Sequence, residues 1–404
     1  MSSAEPVTGL ILSGGGARAA YQVGVLAAIA QLLPAGAANP FPVIVGTSAG
    51  AVNAVSLAAG AMDFRSAIEH LTAFWQGFRS HQVLRSDWPG VIRQASRFVS
   101  HSLLGIGAKV PVALLNSSPL SELLHARLDL SGINQAIAQK QLHAVAVTAF
   151  GYESGQAVTF YQGGRSIDPW LRHRRIGVPT QLSVEHLLAS SAIPLLFAPV
   201  KIGNEYFGDG AVRQSAPISP ALHLGASRVL VVGVSGNPRG VDPDNLQRTY
   251  TGQQPSLAQI GGHMLNSTFI DSLESDIELL QRLNQFSRLL PDGTPTRALG
   301  VAPVEVLVIA PSQPIDEIAA RHRHELPAAL RLFLRGPGAT KTSGAGVLSY
   351  LLFEAGYCSE TDRAWSQRCL GQARGAVSVS WGAGAAGSGL TGMPLYPPSM
   401  REGG

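Results

Sequence analysis

The stretch ILSGGGARAAYQVGVL, Ile11–Leu26, passes from an apolar run through three glycines and an arginine into a segment with helix-forming composition. A strand that breaks into a glycine-rich turn and then a helix brings backbone N–H groups close to a negative charge. Three anions fit such a loop: a dinucleotide phosphate, a bound ion, or an oxyanion formed during a reaction.

Further along, the same alternation repeats. Strand-like runs occur at Phe41–Gly46, Gln141–Phe150, Ala157–Gln162, Ser227–Ser235 and Val304–Pro311, several of them unbroken by polar residues. Such runs suit strands covered on both faces, as in a parallel sheet. Helix-like segments fall between them, among them SVEHLLASSAI from Ser183. Strand and helix in alternation predict an α/β fold. The chain has 404 residues, 45% hydrophobic and only 14% charged, which excludes wholesale disorder and allows one large core.

The formal net charge of +4 comes from small basic groups such as Arg172–Arg175, not from a long block, so nucleic-acid binding is not expected. Only two cysteines occur, Cys358 and Cys369, at a spacing that matches no zinc pattern. No basic segment precedes the first apolar run, so no signal peptide is read and a cytoplasmic location is expected. Residues 62–130 read as a mostly helical insertion carrying Trp75, Phe78, Trp88 and Phe98, and residues 376–404 as a disordered tail.

The second strand ends in VIVGTSAGAVNAV, which places Gly46, Ser48 and Gly50 in the pattern G-x-S-x-G. A serine at a sharp strand-to-helix turn projects its hydroxyl above the sheet, and flanking glycines let the backbones approach. The dinucleotide reading of Gly14-x-Gly16-x-x-Ala19 needs a carboxylate at the end of this second strand, where Gly46-Thr47-Ser48 stands instead. An oxyanion loop accounts for both turns: N–H groups of Gly15 and Gly16 face a carbonyl attacked by Ser48, and Arg18 holds the loop or adds positive charge. A serine nucleophile needs a base. Asp209, between two glycines in YFGDGAVRQSAP, is one candidate, although Asp-Gly is also a common turn pair. His223, His263, His322 and His324 follow it in the order that a triad would require.

Taken together, SGGGARAAYQVGVL, GTSAG, ASSAIPLLFAPV (Ala189–Val200), DGAVRQSAPISPALHLGASRVLVVGV (from Asp209) and LSYLLFEAGYC (Leu348–Cys358) resemble the patatin-like phospholipases. The resemblance covers most of residues 7–235 and a short late segment. It implies a three-layer α/β/α sandwich over residues 1–360 with a mostly parallel sheet. It also implies a Ser48–Asp209 dyad with no histidine, an oxyanion loop of Gly14, Gly15, Gly16 and Arg18, and hydrolysis of lipid acyl esters through an acyl-enzyme with no metal or cofactor.

Three positions depart from the family pattern: Ala19 for glycine, Ala211 for the second glycine of D-G-G, and Ser13 where plant members carry aspartate. None removes a reacting group. The expected partner is a lipid or phospholipid, with peripheral contact with anionic membrane through WLRHRRIGVP (Trp170–Pro179), a basic run that otherwise reads as a solvated loop. The alternative is a catalytically silent lipid- or partner-binding protein on the same fold.

Overall fold

The computed structural model describes residues 6–34, 36–83, 96, 113–235, 254–291, 294, 296, 302–311, 313–335 and 345–363. The expected tail at 376–404, Cys369, and Trp88 and Phe98 of the expected insertion lie outside these residues.

Among the described residues ten strands form one sheet in the order β10-β9-β1-β2-β3-β4-β6-β5, with β8 attached beside β3 and β7 (Val200–Ile202) beside β8. Its centre is parallel: β1 (Thr8–Leu12), β2 (Val43–Thr47), β3 (Ala144–Gly151), β9 (Arg228–Val232) and β10 (Glu305–Ile309) run in one direction. The apolar runs predicted this, because alternate residues of each strand face two separate cores. Leu10, Leu12, Ile44, Val145 and Val147 face one, together with α1 (Ala20–Leu32), α2 (Ala49–Ala59) and α3 (Phe64–Gln76). Ile11, Val43, Val45, Ala144 and Ala146 face the other, with Ile218, Leu224, Leu273 and Ile277. Two cores on two faces make the fold a three-layer sandwich.

The sheet is mostly parallel, as expected; the sequence does not mark which strands turn antiparallel. β3 and β4 (Ala157–Gly163) are apolar enough for parallel strands but pair antiparallel, because the short segment between them leaves no room for a crossover helix. The basic run is a hairpin, not a loop: β5 (Trp170–Arg172) pairs antiparallel with β6 (Arg175–Pro179), and Arg174 takes φ 57° at its turn. Trp170 anchors it, stacked between Tyr161 and His223. Within residues 62–130, α3, Ser80–Val83 and Ser118–Arg127 are helical.

One arrangement matters most for position. β2 lies parallel beside β3 and its last pair is Thr47 with Thr148. β8 (Glu205–Asp209) lies antiparallel on the same side of β3 and its last pair is Asp209 with Ala149. The C-terminal ends of β2 and β8 therefore meet head to head along β3.

A buried polar network fixes α1, α2 and α3 to one another. The Asn53 amide donates to the Ala19 carbonyl (3.1 Å) and to Gln22 Oε1 (2.9 Å), and its oxygen accepts the Trp75 indole N–H at 2.7 Å. Gln22 in turn donates to the Ser13 carbonyl at 2.8 Å, ahead of the glycine loop. Asn53→Leu leaves the Trp75 donor and the Gln22 acceptor without partners, so a loss of ~2–4 kcal/mol is expected in urea unfolding. A loss under ~1 kcal/mol would show that the network is incidental.

Candidate active site

Ser48 sits between β2 and α2 with φ 56° and ψ −131°, a conformation that side-chain-bearing residues rarely adopt. Such strain costs ~1–3 kcal/mol and persists only where surroundings enforce it. Here the enforcement is visible. The Ser48 N–H donates to Ser190 Oγ (2.8 Å), and the Ser190 hydroxyl donates to the Thr148 carbonyl (2.7 Å). Thr47 Oγ1 donates to Gln214 Oε1 at 2.7 Å. The α2 backbone crosses the end of β1 so closely that a side chain on Gly50 would strike the Leu12 carbonyl oxygen, and one on Gly46 would come within 2.7 Å of Ala54 Cβ.

Asp209 is the last residue of β8 and is wholly buried. Its N–H donates to the Ala192 carbonyl at 2.9 Å, and its Oδ1 accepts the Ala211 N–H at 3.0 Å. Oδ2 is buried and makes no hydrogen bond of standard geometry, although the Ser48 hydroxyl stands near enough to stabilise the anion. Burial dominates and pushes the carboxyl up to about 7; Ser48 and the Ala211 N–H pull it part of the way back.

The glycine loop closes the site from the β1 side. A Cβ on Gly14 would lie 3.0 Å from Ser48 Cβ and 2.7 Å from the Phe269 ring, and one on Gly15 would lie 2.5 Å from Val234. Gly16, at φ 56°, packs directly on the Tyr350 carbonyl. All three glycines are buried, and the N–H groups of Gly15 and Gly16 donate to no acceptor among the described residues. Arg18 is also buried, but its guanidinium is turned onto the C-terminal helices. Nε donates to Ser349 Oγ (2.8 Å), Nη2 bonds Asp316 Oδ1 (2.5 Å), and the charge lies 4.0 Å above the Tyr350 ring.

Ser48 opens onto a pocket whose walls are almost wholly apolar: Val52, Trp75, Phe78, Leu124, Phe197 and Phe353 are among them. Trp75, Phe78 and Phe353 pack ring on ring along it. No charged side chain lines it among the described residues.

The histidines stand elsewhere. His223 ends a short helix, as its sequence context suggested, and stacks on Trp170; burial, with Arg172 and Arg175, lowers its pKa to about 4. His322 is held between Glu325 and Glu360. Among the described residues no histidine hydrogen-bonds Ser48 or Asp209, and no cluster of three or more His, Cys, Asp or Glu side chains has the arrangement to hold a metal ion. Sequence reasoning missed Ser190, Thr148, Gln214, Asp316 and Ser349. Ser190 and Ser349 lay inside segments singled out for family likeness, but nothing local marked their contacts.

An α/β/α sandwich carrying a strained serine at a strand-to-helix turn, over a buried aspartate and beside an apolar pocket, defines a class of hydrolase-like folds. The patatin-like phospholipase family profile matches residues 10–222, more than half of the chain, and the chain belongs to that family of lipid acyl hydrolases. A solved structure, VipD from Legionella pneumophila, aligns over 87% of this chain and 67% of its own at 14% identity and a TM-score of 0.32. No curated protein matches the chain. No described helix is long and apolar enough to cross a membrane.

The Asp209 carboxyl also sets a stability slope. In the unfolded chain it ionises near 3.8, and in the fold it keeps its proton to about 7. Between those values the folded chain binds more protons, so this group's contribution to stability falls as pH rises from 4 to 7. Asp209→Asn removes that penalty. Its melting temperature is expected to match wild type near pH 4 and to exceed it increasingly up to pH 8. A difference that does not change with pH would contradict the buried, proton-holding carboxyl.

Proposed function

We propose that the protein is a serine acyl hydrolase of phospholipase A or lysophospholipase type, acting through a Ser48–Asp209 dyad. One observation carries the reading: the strained serine lines an apolar pocket and has beside it a buried carboxyl with a pKa of about 7. A free aspartate, near ~3.9, is a poor base at neutral pH; one raised to 7 is matched to the task.

In the forward step Ser48 Oγ attacks the ester carbonyl as its proton passes to Asp209 Oδ2, the carboxylate oxygen without a partner. The oxyanion accepts hydrogen bonds from Gly15 and Gly16 N–H, with the N-terminus of α2 adding positive potential. Collapse breaks the C–O bond, the departing alcohol takes the proton from Asp209, and the acyl group stays on Ser48 with its chain in the apolar pocket. Water then gives a proton to Asp209 and attacks the acyl carbonyl; collapse breaks the bond to Ser48 Oγ, which takes that proton back from Asp209 as the fatty acid leaves. A catalytically silent lipid- or partner-binding protein has no use for burying a carboxyl against a serine, a costly arrangement.

The expected substrates are glycerophospholipids or lysophospholipids, met at a membrane surface. The β5–β6 hairpin, with Arg172, His173 and Arg174 exposed and Arg175 partly so, supports peripheral contact with anionic head groups. Reversing Arg172, Arg174 and Arg175 to glutamate is expected to abolish retention on phosphatidylserine vesicles while leaving turnover of a soluble p-nitrophenyl ester unchanged. Retention equal to wild type would remove the hairpin from the interface.

Ester hydrolysis tests the reaction itself. Initial rates with p-nitrophenyl butyrate and with phosphatidylcholine are expected to rise about tenfold per pH unit below 7 and to level off above it. Ser48→Ala and Asp209→Asn are each expected to cost at least ~1,000-fold. Rates in wild type that do not change between pH 5 and 8 would rule out Asp209 as the base.

A further inference from the structure

The family match ends at residue 222, yet the side chain that fastens the glycine loop is held by residues far beyond it. Arg18 follows Gly16 by two positions and is 2% exposed. Its only carboxylate partner among the described residues is Asp316, 298 residues away, in the first turn of the helix Ile315–His322. Ser349 completes the hold. Its Oγ accepts from Arg18 Nε at 2.8 Å and lies 2.8 Å from Asp316 Oδ1 and 2.7 Å from the Gly346 carbonyl, the two acceptors that compete for its proton. Tyr350 closes the guanidinium's face, and its own hydroxyl donates to Asn266 Oδ1 at 2.9 Å.

The consequence for the loop follows from peptide planarity. The Arg18 N–H donates to the Gly15 carbonyl at 3.2 Å. That carbonyl and the Gly16 N–H belong to one rigid peptide unit and point in opposite directions across it. Fixing Arg18 therefore fixes where the Gly16 N–H points. Gly16 cannot drift toward the C-terminal helices either, because the Tyr350 backbone stands against it. A buried guanidinium stripped of its carboxylate keeps only the Ser349 hydroxyl and a long contact with the Gly346 carbonyl (3.4 Å), so its charge is no longer compensated and its position no longer fixed.

We propose that Asp316, with Ser349, is a positioning residue for the oxyanion loop: it anchors Arg18 and so aims the Gly16 N–H, which the proposed mechanism pairs with that of Gly15, at the reacting carbonyl. The inference rests on the reading of those two groups as oxyanion donors. It makes the helices at 315–322 and 345–351 part of the working enzyme, not a decoration of the family core.

The test uses the full chain with p-nitrophenyl butyrate, an acyl trifluoromethyl ketone as mimic of the tetrahedral intermediate, and oleate as a ligand of the acyl pocket. Asp316→Asn is expected to lower kcat by about 10- to 100-fold with KM within about twofold. Ketone affinity should fall by the same factor as kcat/KM, and oleate affinity should hold. Asp316→Glu should recover most of the loss. Ser349→Ala, which keeps the ion pair, should lower kcat several-fold at unchanged KM, and it serves alone if Asp316→Asn does not fold. Folded variants with wild-type kcat, or with ketone and oleate affinity lost in parallel, would overturn the proposal. An inactive wild type would overturn the hydrolase reading itself, and this inference with it.

Discussion

The site depends on one strand shared by two others. One edge of β3 takes both: along it β2 ends at Thr148 while β8, coming from the opposite direction, ends at Ala149. Because the two strands converge, the residues at their ends are adjacent whatever the intervening loops do. That places Ser48 and Asp209 together through ladder hydrogen bonds, the most rigid connection available. The Thr47–Gln214 and Ser190–Thr148 bonds then lock the two ends to each other and to the helix Val184–Ser190. A small residue is required where backbones cross: a side chain on Gly210 would strike the Thr148 carbonyl itself.

Electrostatics make the arrangement costly and useful at once. The carboxyl is wholly buried, with only one backbone donor on Oδ1 and no partner of standard geometry on Oδ2. An aspartate so poorly solvated keeps its proton to neutral pH, which weakens the fold and gives the carboxyl the basicity that the proposed mechanism needs. The strained Ser48 backbone adds to the same cost. The loop opposite carries no net charge into the pocket, because Arg18 is neutralised by Asp316 before it reaches the reacting centre.

Much of this was legible in the sequence. The G-x-S-x-G pattern after an apolar run marked the turn at Ser48, and the missing carboxylate at the end of β2 separated the glycine loop from a dinucleotide site. Both are local features. Asp209 was ambiguous as a residue, because an Asp-Gly turn looks the same on the surface as in the core; only the neighbouring family segments raised it. The antiparallel half of the sheet was not legible, since β3 and β4 bury both faces and so lose the alternation that antiparallel strands usually show. The Arg172–Arg175 run hid a hairpin because its charge outweighed the alternating Leu171, Ile176 and Val178. Asp316 had no signal at all, because an ion pair across 298 residues leaves no spacing to read, and nothing marked the contact of Ser349 within its family-like segment.

The most direct measurement is intact-mass detection of a fluorophosphonate adduct on wild type, Ser48→Ala and Asp209→Asn, each shown to be folded. If Ser48 is activated by Asp209, wild type gains one adduct, Ser48→Ala gains none, and Asp209→Asn reacts far more slowly. Labelling of Ser48→Ala at the wild-type rate, or of Asp209→Asn as fast as wild type, would contradict the account.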